Sequence, residues 1–202
     1  MDETESLPDR IFENYLNATI LLTGGTGFLG KVILERLLRV FDVKRIYLLI
    51  RTKRSRMPAD RLRDIFSNPL YDQVRKLKGD EIFEKCVPIY GEVGRDCLGL
   101  WPKDREILQD EVEYVINTAA SIKFDDPLKT ALLINAKGTL TMIELAKGMK
   151  KLKLFVHVST AYSHPDQKIV EEKVYPIKYN YEQIISLTEY FDEDTIEVMR
   201  NR

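Results

Sequence analysis

Four glycines between residues 24 and 30 form a loop that could bind a phosphate. The segment reads TGGTGFLG from Thr23 and satisfies both G-x-G-x-x-G and G-x-x-G-x-x-G. Glycines at this spacing permit a tight turn, close approach of the backbone to a pyrophosphate, and close packing of a helix on a strand. A strand pattern precedes the loop and a helix pattern follows it, which is the context that favours a dinucleotide site. The candidate cofactor-binding residues of this loop are Thr23, Gly24, Gly27, Phe28, Leu29 and Gly30.

The residue at the end of the second strand pattern indicates which dinucleotide is bound. An Asp or Glu at this place would bind the adenosine ribose 2′-hydroxyl and select NAD. Arg51 stands there instead, followed by Lys53 and Arg54. Because a guanidinium pairs well with a phosphate, Arg51 predicts NADPH as the cofactor.

These residues must be positioned by alternating strands and helices. Short apolar runs predict strands at 18–23, 44–51, 85–90, 113–118 and 153–159. Amphipathic segments predict helices at 31–40, at 59–78 with a break near Pro69, at 127–151 and in two segments after Tyr181. Since the apolar runs are continuous rather than alternating, the strands should form a parallel sheet covered on both faces. The predicted fold class is α/β, a Rossmann-like doubly wound parallel sheet that is incomplete at its C-terminal end, with ligands at the carboxyl ends of its strands.

Composition excludes several classes of protein. The chain has 202 residues, with 31 Lys and Arg against 32 Asp and Glu, so it lacks the basic excess of a nucleic-acid-binding protein. Residues 1–10 are acidic and polar, unlike a secretory signal, and the uncharged run 14–30 is too polar to span a membrane. The chain as given is therefore expected to be cytosolic.

Other common catalytic centres also lack support. The two histidines and two cysteines, His157, His164, Cys86 and Cys97, do not have the spacing of a metal site, and no G-x-S-x-G elbow is present. Two cysteines cannot form a disulfide framework, and both are expected to be small buried apolar side chains.

Several further motifs together resemble one family. They are TGGTGFLG followed by KVILERLLR, then IYLLIR, NTAAS, INAKGT, FVHVSTAY and EEKVYP, in this order from about Ile11 to the end of the chain. The chain resembles the alcohol-forming fatty acyl-CoA reductases of the insect type, members of the extended short-chain dehydrogenase/reductases. The glycine loop is shared across that superfamily, whereas FVHVSTAY followed by EEKVYP is far more specific. The resemblance implies reduction of a long-chain acyl-CoA to a primary alcohol with two NADPH, through an aldehyde.

The resemblance also implies roles for individual residues. The loop glycines would hold the pyrophosphate and Arg51 the 2′-phosphate. The residues that would line the adenosine and ribose are Asn117, Ala119 and Ala120, with Asn135 as a supporting helix residue. Ser159 and Thr160 would carry the catalytic hydroxyl group, with Thr160 preferred for the substrate hydrogen bond. The family has an aspartate after the third strand, where this chain has Gly91-Glu92, which puts the adenine contact there in question.

The proton donor of this superfamily is absent from the sequence. It is a tyrosine whose pKa is lowered by a lysine four residues on, and none of the ten tyrosines here has a lysine at that spacing. The simplest expectation is that the chain stops before this pair. It would then bind NADPH, lack the acyl-binding part and be inactive alone.

The expected organisation is a lead-in at 1–15, an NADP-binding domain at 16–165, and the start of a substrate-side region at 166–202. The complete protein would be anchored by a later C-terminal region to the cytosolic face of the endoplasmic reticulum or to the peroxisome. Two alternatives stay open: a thioester reductase domain of a carboxylic acid or peptide synthetase, and a short non-catalytic NADPH-binding protein.

Overall fold

The computed structural model describes residues 10–53, 55–165, 167–176 and 179–200. Five strands form one parallel sheet: β1 Thr19–Thr23, β2 Arg45–Ile50, β3 Cys86–Tyr90, β4 Tyr114–Asn117 and β5 Leu154–His157. Their order is β3-β2-β1-β4-β5, so the chain crosses over after β3. The predicted Rossmann-like sheet is confirmed, and its first strand lies at its centre. Residues 1–9 of the predicted lead-in at 1–15, and Arg54, lie outside the described residues.

Nine helices are described in these ranges. They are α1 Arg10–Tyr15, α2 Phe28–Val40, α3 Pro58–Phe66, α4 Asp72–Lys78, α5 Pro102–Glu111, α6 Leu128–Ala131, α7 Gly138–Lys147, α8 Tyr181–Tyr190 and α9 Glu193–Arg200. The π-helical segment Leu132–Lys137 joins α6 to α7, so the predicted long helix is present but shorter and widened in its middle. The short 3₁₀ turns are Pro69–Tyr71, Asp80–Lys85, Asp96–Gly99 and Ala161–Ser163.

Two hydrophobic clusters cover the two faces of the sheet, as the continuous apolar strands predicted. Alternate residues of β1 enter different clusters: Ile20 and Leu22 pack with α2, α3 and α4. Leu21 packs on the other face with Leu108 of α5 and Met142 of α7. Because both faces of β1 are buried, the sheet holds the carboxyl end of this strand at a fixed position beneath the glycine loop.

The strand β5 departs from this pattern. Leu154, Val156 and Val158 at this edge are between 37% and 47% exposed, although their apolar sequence predicted a buried strand. β5 pairs with β4, and no second strand pairs with it among the described residues. The sequence pattern therefore identified the strand correctly but not the degree of its burial.

The two cysteines differ in their burial. Cys86 at the start of β3 is buried, and burial raises the pKa of its thiol to about 12. Cys97, which lies in a 3₁₀ turn with a positive φ, is exposed. The expectation of a buried side chain is right for Cys86 and wrong for Cys97.

Glu113 ties the amino ends of three strands together. Its carboxylate accepts a hydrogen bond from the Thr19 amide (3.0 Å) and pairs with the Lys153 ammonium (2.6 Å). Burial raises the pKa of Glu113, but hydrogen bonds from Lys153 and from the Thr19 amide, with the charges of Lys153 and Lys151, outweigh it and lower the pKa overall.

A lowered pKa makes the stability that Glu113 contributes dependent on pH. The folded state binds fewer protons here than the unfolded chain, so this contribution is complete above the unfolded pKa of about 4.3 and is lost as pH falls through the folded value. Urea unfolding of wild type and Glu113→Gln between pH 7 and pH 3 should show a stability difference that shrinks below about pH 4. A difference that stays constant over this range would contradict the role of the carboxylate.

Candidate functional site

A cleft of about 460 Å³ lies at the carboxyl ends of the strands, between the loop after β1 and the segments after β3 and β4. Its walls contain Gly24 and Gly27 from the glycine loop, Arg51 after β2, and Ala119 and Ala120 after β4. Five residues that the sequence predicted to contact the cofactor therefore line one cleft. Parallel strands bring their carboxyl ends to one edge, so residues far apart in sequence meet there.

The glycine loop is open on the side that faces the cleft and closely packed on the side that faces the segment after β4. Gly24 has φ +70°, and an added Cβ there would lie 2.5 Å from Thr118 Oγ1 and 2.8 Å from the Ala119 nitrogen. At Gly27 an added Cβ would meet a single neighbour, the Gly24 carbonyl oxygen at 3.2 Å. Gly27 therefore faces open space in the cleft, while Gly24 packs against the segment after β4.

The helix α2 begins directly over this loop. Gly27 is its N-cap, and no side chain caps the first turn. The first amides of a helix have no partner within it and carry the positive end of the helix dipole. Phe28 and Leu29 are exposed at this end, and their side chains do not line the cleft. Their backbone amides, rather than their side chains, are what the loop offers to an anion.

Arg51 follows β2 and projects to the edge of the cleft, where it is about half exposed. Its Nη1 pairs with Glu92 Oε1 at 2.8 Å. Glu92 follows β3, where the resemblance described above implied an aspartate. A carboxylate that holds Arg51 in this way would compete with an anionic ligand for the same guanidinium.

A second arginine, Arg61 of α3, lines the same cleft and was missed by sequence reasoning. Its Nη1 donates to the Arg51 carbonyl oxygen at 2.5 Å. Burial lowers the pKa of Arg61, and the positive charges of Arg51 and Arg56 lower it further. Because the positive charges of Arg51 and Arg61 lie together at the edge of the cleft, they favour an anion there. The available signal was the position of Arg61 on an amphipathic helix that follows Arg51, but sequence spacing alone does not show which way that helix points.

Thr23 and Asn117 lie beneath the cleft rather than on its wall. Both are fully buried, and the Thr23 hydroxyl donates to Asn117 Oδ1 at 2.6 Å. The same Thr23 oxygen accepts the amides of Thr118 and Ala119, each at 3.1 Å. These two residues therefore connect the end of β1 to the end of β4 and shape the segment that lines the cleft.

The segment after β4 is also held from the other side. Asn135, in the π-helical segment, accepts the Ser121 amide at 2.8 Å and donates to the Ser121 carbonyl at 2.9 Å. The Ser121 hydroxyl also donates to the Asp126 carboxylate. Asn135 thus has the supporting position that the resemblance implied, and π-helical segments are frequent at functional sites.

Ser159 and Thr160 lie beyond β5, are exposed, and do not line the cleft. Thr160 Oγ1 accepts the Tyr162 amide at 3.2 Å and caps the short turn that follows. The described residues hold no group of three or more His, Cys, Asp or Glu that could bind a metal ion. Nor does any described helix have the length and apolar character needed to cross a membrane.

Comparison with known proteins identifies the family. The family model NAD_binding_4, described as Male sterility protein, matches residues 22–200 of this chain. The chain belongs to this family. Membership of this NAD-binding family supports a nicotinamide cofactor for the chain.

Individual relatives of this male sterility family protein are fatty acyl-CoA reductases. Fatty acyl-CoA reductase wat of Drosophila melanogaster is 36% identical over 198 residues, 98% of this chain and 38% of that protein. Fatty acyl-CoA reductase 1 of Mus musculus is 37% identical over 185 residues, 91% of this chain and 36% of that protein. The resemblance predicted from sequence is confirmed, and the chain spans little more than a third of the length of these curated relatives.

Solved structures support the fold of this family member. The terminal R domain from the myxalamid PKS-NRPS biosynthetic pathway aligns with a TM-score of 0.59 at 32% identity, over 72% of this chain and 35% of that chain. A thiolation-reductase di-domain from an archaeal non-ribosomal peptide synthetase gives a TM-score of 0.61 at 24% identity, over 86% of this chain and 37% of that chain, a likeness of fold alone.

Proposed function

We propose that this chain is the NADPH-binding part of an enzyme that reduces long-chain fatty acyl-CoA to a primary alcohol. The observation that carries the proposal is the cleft that combines the glycine loop with two arginines, Arg51 and Arg61, at one edge. The names of the relatives, fatty acyl-CoA reductases at 36% and 37% identity, support the acyl-CoA substrate.

The residues of the cleft fit a dinucleotide. The open face of Gly27 and the first amides of α2 would hold the pyrophosphate, since a backbone without side chains permits close approach and the helix end favours an anion. Ala119 and Ala120 would line the adenosine and ribose. When bound, the cofactor supplies the hydride for the reduction.

Arg51 and Arg61 would select NADPH through its 2′-phosphate. Each guanidinium can donate two parallel hydrogen bonds to a phosphate, and such charge-assisted bonds are the stronger class. Arg51 would leave Glu92, a pair exposed enough that breaking it costs little. Glu92 therefore tempers the affinity and does not block the site.

The proton donor would come from outside this sequence, which contains no Tyr-x-x-x-Lys. General acid catalysis typically contributes about 10²–10⁴-fold to a rate. We therefore propose that the chain binds the cofactor but reduces acyl-CoA poorly by itself. Ser159 and Thr160 stay candidates for hydroxyls on the substrate side, at the exposed end of β5.

Direct titration tests the proposed cofactor. Intrinsic fluorescence or calorimetry of the purified chain should give an affinity for NADPH at least about tenfold above that for NADH, as one charge-assisted phosphate contact predicts. Equal affinity for the two cofactors, or no binding of either, would overturn the NADPH assignment.

A rate measurement tests the missing proton donor. With palmitoyl-CoA and NADPH, this chain should oxidise the cofactor at least about 100-fold more slowly than full-length mouse fatty acyl-CoA reductase 1. A comparable rate would mean that a residue of this chain supplies the proton.

The two alternatives have weaker support. The thioester reductase reading has the fold likeness, but the fatty acyl-CoA reductases cover more of the chain at higher identity. An immunoblot of the source tissue separates the parent enzyme from a short non-catalytic protein, since a band far above 23.5 kDa favours the enzyme. The location of the longer protein at the endoplasmic reticulum or peroxisome stays a prediction.

A further inference from the structure

The ring of His157 contacts the buried network beneath the cleft. His157 ends β5 and Asn117 ends β4, and the two are partners in the strand register. Asn117 Nδ2 lies 3.1 Å from His157 Nδ1. Asn117 is fully buried, whereas the His157 ring is exposed, and its Nε2 has no hydrogen-bond partner in the described part of the chain.

The directions of the neighbouring hydrogen bonds decide which nitrogen of His157 carries the proton. The amides of Thr118 and Ala119 can only donate, so the Thr23 hydroxyl oxygen accepts from both. Its single hydrogen must then go to Asn117 Oδ1. This turns Asn117 Nδ2 toward His157, and Nδ1 of the ring must accept. The proton of the neutral ring therefore sits on Nε2.

The same network reaches the glycine loop. The Thr118 hydroxyl donates to the Thr23 carbonyl oxygen at 2.7 Å, and Gly24 packs so closely on this segment that a Cβ would lie 2.8 Å from the Ala119 nitrogen. Losing the acceptor at His157 would leave a buried amide donor of Asn117 unpaired, which is costly. The Asn117 side chain would then shift, and with it the segment after β4.

We propose that His157 is a positioning residue: its Nδ1 locks the Asn117 amide and thereby holds Thr118 and Ala119 in the shape that lines the cofactor cleft. The expected effect on cofactor affinity rests on the proposed function. The hydrogen bond from Asn117 to His157, and its effect on Thr118 and Ala119, are properties of the chain without any ligand. His157 would act through Asn117 and would not touch the cofactor.

Two substitutions of similar polarity distinguish the loss of the Asn117–His157 hydrogen bond from a general effect on the fold. In His157→Asn, the side-chain carbonyl oxygen can occupy the place of Nδ1 and accept from Asn117. In His157→Gln, the polar atoms lie further out, near the place of Nε2. Amide hydrogen exchange at Thr118 and Ala119 in the ligand-free chain should be faster in His157→Gln than in wild type and should return toward wild type in His157→Asn.

Two further measurements complete the test. Long-range ¹H–¹⁵N spectra of wild type should show Nδ1 of His157 as the unprotonated nitrogen. The affinity for NADPH should fall about 3- to 10-fold in His157→Gln and stay within about twofold in His157→Asn, as expected for one hydrogen bond.

A proton on Nδ1, or equal exchange at Thr118 and Ala119 in both variants, would overturn the lock. If wild type fails to bind NADPH, the proposed function fails, while the exchange and the spectra of the free chain still decide the role of His157.

Discussion

Gly27→Ala is expected to leave the chain folded and to weaken NADPH binding about 10- to 100-fold. The added methyl would point into open space in the cleft, with the Gly24 carbonyl oxygen as its one close neighbour at 3.2 Å. It would occupy the surface that the pyrophosphate needs, and an overlap of one methyl typically costs about 1–3 kcal/mol. Titration with NADPH and a thermal unfolding curve measure the two effects separately.

Gly30→Ala is the matched control, with the opposite expectation for stability. A Cβ there would overlap the Gly24 carbonyl oxygen and lie 2.7 Å from its carbon and 2.8 Å from Gly25 Cα. These neighbours are backbone atoms and cannot rotate away, so we expect a loss of about 3 kcal/mol or more, roughly 10 °C in Tm. If Gly27→Ala unfolds as readily as Gly30→Ala, or binds NADPH as wild type does, the glycine loop does not hold the pyrophosphate as proposed.

Replacing Arg51 or Arg61 by alanine is expected to reduce the affinity for NADPH about 10- to 100-fold each and to leave that for NADH nearly unchanged. A hydrogen bond to a charged group contributes about 1.5–3 kcal/mol, and only NADPH carries the 2′-phosphate. NADH is therefore the control ligand in the same protein. Calorimetry at two salt concentrations should also show a weaker salt dependence of NADPH binding in each variant.

Two further variants sharpen this test. Glu92→Gln removes the carboxylate that pairs with Arg51 at 2.8 Å and should strengthen NADPH binding a few-fold. Arg51→Asp should abolish or reverse the preference for NADPH. An equal loss of NADH affinity in the Arg61 variant would mean that Arg61 acts through its hydrogen bond to the Arg51 carbonyl, as a support for the loop and not as a phosphate ligand.

Much of the fold was predictable because its signals are local. The apolar run of β1, the glycines that follow it and the amphipathic pattern of α2 identify a buried strand, a tight turn and a helix within residues 19–40. The family motifs are local as well. The helix α5 was not predicted, because its sequence PKDREILQDE contains few apolar residues and Leu108 alone is buried.

The roles of the site residues depended on contacts across the sheet. Thr23 and Asn117 are 94 positions apart, and their hydrogen bond exists because β1 and β4 are neighbours in the sheet. The same pairing buries both side chains beneath the cleft, whereas the sequence had predicted that they contact the cofactor. Arg61 came to the cleft through the packing of α3, and His157 came to Asn117 through the register of β5.

The sequence by itself determined that this chain forms a parallel sheet with a glycine-rich turn between β1 and α2 and carries an arginine after β2, because backbone periodicity and glycine spacing are properties of neighbouring residues. The tertiary structure alone decided which side chains face the cleft, which lie buried beneath it, and how each is charged or hydrogen-bonded. Those properties depend on which residues the sheet brings together from distant parts of the chain.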